Sequence, residues 1–128
     1  LVKPKPNRGV IGWLETTEEL SLYLSVVSFG ELQKGVSKLK ESRRRKTLQT
    51  WVDEELTGRF AGRVLDIDRA VASRWGELSG KAERIGKKIP VLDGLLAATA
   101  LEGGLTVVTE NVRHFHATEC SVLNPWER

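Results

Sequence analysis

An α/β fold with a largely parallel sheet is the class this sequence predicts, and three observations predict it. Four short runs of β-compatible, mostly apolar residues fall at 20–25, 62–67, 105–109 and 120–123, and longer stretches of helical period separate them. The run Leu105-Thr106-Val107-Val108-Thr109 is nearly continuous in apolar character between Gly103-Gly104 and Asn111, which suits a strand buried on both faces. The 128 residues, 40% of them hydrophobic, suffice for one domain with a real core, since domains usually span roughly 50–250 residues. We therefore expect a single domain over 1–128, with no internal repeat and no linker.

Each element has a local justification. Lys3-Pro4-Lys5-Pro6 opens the chain in extended form, because a residue before proline is pushed out of the helical region. Asn7 then caps a helix whose Val10, Ile11, Trp13 and Leu14 share one face. Residues 20–25 alternate Leu with Ser and Tyr and read as a strand. From Ser28 the period becomes helical, with Phe29, Leu32, Val36 and Leu39 apolar, and Ser28 with Glu31 forms an S-x-x-E capping box. A second helix over 42–56 turns Leu48, Trp51, Val52 and Leu56 inward. Residues 62–67 read as a strand, and Asp68 caps a helix carrying Ala72, Trp75 and Leu78. Gly86 ends that helix. Pro90 announces the next, with Val91, Leu92, Leu95, Leu96, Ala98, Ala100 and Leu101, and Gly103-Gly104 closes it. Residues 105–109 and 120–123 form the last two strands, the second ending at Asn124-Pro125.

Composition narrows the classes. Cys120 is the single cysteine, so the chain has neither an internal disulfide nor a Cys-x-x-Cys site, and a reducing cytoplasm is the expected compartment. The first nine residues are polar and proline-containing, unlike a signal peptide, and the apolar stretches fall short of the roughly 20 residues a membrane span needs. The sequence holds no methionine and begins with Leu1, from which we expect the native N-terminus to precede it. G-x-x-x-x-G-K-[ST], G-x-G-x-x-G and G-x-S-x-G are all missing, which disfavours nucleotide-loop, dinucleotide and serine-nucleophile chemistry.

Ligands of open α/β sheets collect where strands end and helices begin. That rule brings forward Glu31, Asp66, Asp68, Asp93, Thr109, Glu110 and Asn111. A structural reading stands beside each chemical one. Glu31 completes a capping box or faces a ligand; Asp93 complements a helix dipole or faces a ligand. Asp68 reads as an ordinary N-cap, and Asn111 as a turn or cap residue. His114 and His116 lack the further imidazole or cysteines of a zinc site and read as surface-loop histidines. Charge is uneven: residues 33–46 hold Lys34, Lys38, Lys40, Arg43, Arg44, Arg45 and Lys46 against Glu41, a local +6 that leaves −3 for the rest of a chain of net +3. A nucleic-acid footprint and a solvated helical surface explain that equally well.

Five stretches in the right order resemble the PIN-domain ribonucleases, specifically the toxin halves of bacterial VapBC-type and FitAB-type toxin–antitoxin pairs: LVKPKPNRGVIGWL, LYLSVVSFGELQKGV, VLDIDRAVASRWGEL, IPVLDGLLAATALEGGLTVVTENVRHF and VLNPWE. The resemblance implies a three-layer α/β/α fold with a central, largely parallel sheet and a cluster of acids binding Mg²⁺ (or Mn²⁺). Glu31 matches the acid of the Gly-Glu-Leu motif and Asp93 that of P-V-L-D-x-L-x-A-A, so both are expected to be catalytic metal ligands. Thr109 and Asn111 match the T-x-N motif bordering the site. Lys34, Arg43, Arg44 and Arg45 become candidates for touching the substrate.

The same resemblance implies an endoribonuclease toxin that hydrolyses tRNA, rRNA or mRNA, a cognate antitoxin that blocks its acidic site, a homodimer, and toxin–antitoxin hetero-oligomers. This chain departs from the pattern twice. The family's first acid lies in an N-terminal strand that would precede Leu1, so that strand is expected to fall outside the given chain. Many relatives also carry an acid at the position of Asn111 or three residues on, where this chain has Asn111 and His114. These departures frame a rival reading, a catalytically impaired PIN scaffold that binds nucleic acid or regulates. A third reading, DNA binding through residues 33–46, would show a steep salt dependence and no need for metal.

Overall fold

Strand pairing among the described residues is parallel throughout. The computed structural model describes residues 16–127. The extended opening at Lys3-Pro6 and the helix expected after Asn7 lie outside the described residues. The described residues divide into two compact units, Leu22–Asp66 and the unit from Ile67 onward, to which 16–21 also belong.

In the first unit β1 (Leu24–Ser25) pairs with β2 (Val64–Leu65), Leu24 opposite Val64 and Ser25 opposite Leu65. Arg63 clamps the pair: its backbone carbonyl accepts from Leu24 N and its guanidinium Nη1 donates to the Leu22 carbonyl at 2.7 Å. The strand expected over 20–25 is thus shorter, because Glu19–Ser21 turns as a 3₁₀ helix before β1 begins. Helix α1 (Val26–Ser37) follows without an intervening turn. Its N-cap is Ser25, whose Oγ accepts from Val27 N at 3.0 Å. This overturns the Ser28–Glu31 capping box: both residues lie inside α1, where the amides at the helix start are already served from Ser25.

Helix α2 (Arg43–Thr50), capped by Ser42 Oγ on Arg45 N, runs on through a π-helical stretch (Trp51–Leu56) into a last α-helical turn (Thr57–Arg59). Val52 and Leu56 are buried as their spacing required, and Leu48 and Trp51 are half-buried. Gln33 on α1 and Gln49 on α2 exchange reciprocal amide hydrogen bonds of 2.8 and 2.7 Å, locking the two helices in register.

In the second unit α3 (Arg69–Arg84) packs on α4 (Val91–Gly103). Asp68 caps α3 as its position implied, Oδ1 accepting from Val71 N at 2.9 Å. On α3 Trp75 is half-buried and Ala72 is exposed, and Val71, Leu78 and Ala82 are the buried face. They meet Ala97, Ala98 and Ala100 of α4, whose small side chains let the helices approach closely. Gly104 ends α4 at φ +64, a left-handed conformation that costs glycine nothing. The strands β3 (Val107–Val108) and β4 (Val122–Leu123) pair Val107 with Val122 and Val108 with Leu123. Val107 is buried and Val108 half-buried, so burial on both faces holds only in part. Phe115, at 2% exposure, ties the 3₁₀ turn Val112–Phe115 into this core. No helix among the described residues is long and apolar enough to cross a membrane.

Candidate active site

Asp93 lies in the first turn of α4, just after Pro90. Pro90 has the extended ψ of an N-cap but no side-chain donor or acceptor, and its carbonyl accepts from Gly94 N at 2.8 Å to start the helix. Gly94 is indispensable to this geometry. A Cβ there would fall 2.9 Å from Cδ1 and 3.0 Å from Nε1 of Trp75 on α3, so the bare glycine lets the start of α4 lie against the indole. The neighbouring Asp93 is thereby held on a rigid, packed helix end, its side chain 24% exposed.

Opposite Asp93 is His114. Its Nδ1 lies 2.9 Å from Asp93 Oδ2, and since a carboxylate only accepts, Nδ1 carries the hydrogen in this pairing. Phe115 anchors the turn that presents His114, while Thr109 shapes the approach from β3: Thr109 Oγ1 accepts from Asn111 N at 3.0 Å, closing a tight turn at the strand end. Asn111 is the N-cap residue of the 3₁₀ turn but makes no side-chain cap bond, and its side chain is exposed. Glu110, Asn111, Arg113 and His114 line an open hollow of about 520 Å³ there. A second, of about 380 Å³, shares Arg113 and His114 and adds Lys87, Lys88 and His116.

Thus Asp93, Thr109, Asn111 and His114 belong to one unit. Glu31 belongs to the other, exposed on α1, as do Lys34, Arg43, Arg44 and Arg45. The three arginines occupy the first turn of α2, where the helix dipole disfavours cations, and Ser42 rather than charge stabilises that end. Arg45 also donates to the Leu39 carbonyl at 3.4 Å. Among the described residues no group of three or more His, Cys, Asp or Glu side chains is assembled for a metal. A hard divalent cation needs less than that, since Mg²⁺ is commonly held by one or two carboxylates together with water and substrate phosphate, and the Asp93 carboxylate on a fixed helix end meets that requirement.

The fold recurs in known proteins. The PIN domain model matches residues 1–119. The chain belongs to the PIN-domain family. It is 34% identical over 125 residues to toxin FitB of Neisseria gonorrhoeae (strain ATCC 700825 / FA 1090), covering 98% of this chain and 90% of the relative. It is likewise 34% identical over 127 residues to the VapC ribonuclease Y4jK of Sinorhizobium fredii (strain NBRC 101917 / NGR234), covering 99% and 91%. Among solved structures, a chain of FitAB bound to an IR36 DNA fragment superposes with a TM-score of 0.91 at 33% identity, over 97% of this chain and 87% of that one. The α/β PIN architecture inferred from the five sequence stretches is therefore correct.

Sequence reasoning about this PIN domain missed His114 as a partner of Asp93, reading it as a surface-loop histidine. The two are 21 positions apart in the sequence, with nothing local to join them. Lys87, Lys88 and Arg113 lie outside the basic run 33–46, and no sequence signal places them beside His114.

Proposed function

We propose that this PIN domain is a Mg²⁺- or Mn²⁺-dependent endoribonuclease toxin neutralised by a cognate antitoxin, acting in the cytoplasm as a homodimer or within a toxin–antitoxin hetero-oligomer. The observation that carries the reading is the presentation of Asp93: a carboxylate fixed at the start of α4 and paired with His114, which lines two open hollows, in a chain related to a named toxin and a named ribonuclease. Glu31 enters the reading on the family resemblance alone.

A divalent cation bound there supplies positive charge to a phosphodiester and lowers the cost of ionising a water. The chain's own residues do the rest. His114 holds Asp93 Oδ2, which fixes the carboxylate plane and would leave the other oxygen of Asp93 open to a cation. Thr109 sets the turn that brings Asn111 to the rim, where its amide can donate to a ribose or phosphate oxygen. Cations near the carboxylate offset its repulsion of RNA.

Incubating the protein with tRNA and Mg²⁺ or Mn²⁺ tests this. Cleavage that disappears in Asp93→Asn supports the mechanism; equal products from both proteins sink it. One observation favours a second reading, an RNA-binding module without cleavage: His114 occupies an oxygen of Asp93. RNA binding without any metal-dependent product would select that reading.

A further inference from the structure

The hollow of about 380 Å³ beside His114 is lined by Lys87, Lys88, Arg113, His114 and His116, with no acidic side chain among its lining residues. Its cations stand on anchored backbone. Lys87 N donates to the Ala82 carbonyl at 2.8 Å after the left-handed turn at Gly86, the next residue but one, Ile89, is buried in the core, and Phe115 fixes Arg113 from the other side. Among the described residues Lys87, Lys88 and Arg113 make no ion pair. Three uncompensated cations in one concavity focus a positive potential that nothing in the fold consumes. His114 links that concavity to Asp93 across 2.9 Å.

We propose that this hollow is the phosphate subsite for single-stranded RNA, with Lys87, Lys88 and Arg113 holding the backbone that flanks the bond presented to Asp93. The inference rests on the ribonuclease reading and names the side of the site from which substrate enters. Arginine supplies a fork that matches phosphate oxygens, and the two lysines supply point charges along the strand. His116, in the same lining, offers a ring face on which an unpaired base stacks, an interaction that an acidic protein segment would not use. The basic segment Arg43–Arg45 lies in the other unit and is not part of this hollow.

The test is fluorescence anisotropy with a short fluorescein-labelled polyuridine RNA and the full chain carrying Asp93→Asn, titrated over a range of salt. Adding Lys87→Gln, Lys88→Gln and Arg113→Gln together should weaken binding roughly tenfold or more at ~100 mM salt and flatten the salt slope by about 2, since each phosphate that a side chain no longer neutralises removes about 0.7 from the slope. Arg43→Gln, Arg44→Gln and Arg45→Gln, which remove the same charge, should do less. Unchanged affinity and slope in the first triple variant overturns the subsite, as does loss of binding to an acidic antitoxin segment with RNA affinity retained. Photocrosslinking of 4-thiouridine RNA to the chain with its lysines and arginines intact guards against misfolding of the variant: adducts at 87–88 and 113 support the subsite, and adducts confined to 34–46 overturn it. The catalytic reading fails separately, if the chain with Asp93 intact gives no metal-dependent cleavage while RNA still maps to this hollow.

Discussion

His114 Nδ1 is 2.9 Å from Asp93 Oδ2, joining the 3₁₀ turn after β3 to the first turn of α4. With His114 half exposed, the pairing contributes little to stability, at most about 1 kcal/mol once solvent screening is counted. Its consequence is orientation of the carboxylate. His114→Ala should lower the melting temperature by no more than about 5 °C, yet weaken Mn²⁺ binding roughly 10–100-fold, as removing the partner of a ligating carboxylate does. His114→Asn keeps a donor near the Nδ1 position and should restore part of the affinity. Isothermal titration with Mn²⁺ decides it: equal affinities for the three proteins would show that His114 does not orient Asp93.

Gly94→Ala should be costly for a reason confined to one methyl group. The added Cβ would meet the Trp75 ring at 2.9 and 3.0 Å and Ile89 at 3.3 Å, and overpacking of this kind typically costs about 1–3 kcal/mol. Because the clash acts at the residue after Asp93, the variant should also lose metal affinity, which a purely global destabilisation would not cause below its melting temperature. Urea denaturation and metal titration on one sample check both; a stability change under about 0.5 kcal/mol would mean that the indole yields freely.

Phe115→Ala tests how the histidine is held. The ring is 2% exposed, and removing such a side chain typically costs about 3–5 kcal/mol. A chain that retains its fold should then fail to pair His114 with Asp93, so Phe115→Leu, which conserves most of the volume, should keep both stability and metal affinity where Ala loses them. Two variants of equal metal affinity would disconnect the core from the site.

Much of this was legible in the sequence because the signals were local. Asp68 announces α3 three residues before Val71, Pro90 announces α4, and Gly104 must end it, each through the backbone it dictates. The strands were located but drawn too long, since apolar character continues past the residues that pair in the ladder. Asp93 was legible as the acid at the start of a helix. His114, Lys87, Lys88 and Arg113 were not, because what brings them together is the burial of Phe115 and Ile89 in one core, a tertiary event with no periodicity of its own. The π-helical stretch Trp51–Leu56 was equally hidden: its amphipathic spacing is nearly that of an α-helix, and the i→i+5 backbone bonding that distinguishes it has no signature in the residue types.

The boundary between β1 and α1 gives the sharpest test of such local reasoning, because two serines compete for one role. Ser28 with Glu31 has the spacing of a capping box, yet Ser25 is the buried residue whose Oγ accepts from Val27 N at 3.0 Å. Strand and helix meet there with no turn residue between them, so the same serine ends β1 and starts α1. Ser25→Ala should therefore cost about 1 kcal/mol through removal of the cap, somewhat more if burial leaves the amide unsolvated. Ser28→Ala, within the helix, should be neutral or slightly stabilising, since alanine is the better helix former. Paired urea melts distinguish the two, and the opposite ranking would return the helix start to Ser28. Because Glu31 follows on the same helix, a correct Ser25 cap also frees its carboxylate from the capping role, so Glu31→Gln should leave stability unchanged while removing the charge that the ribonuclease reading assigns to it.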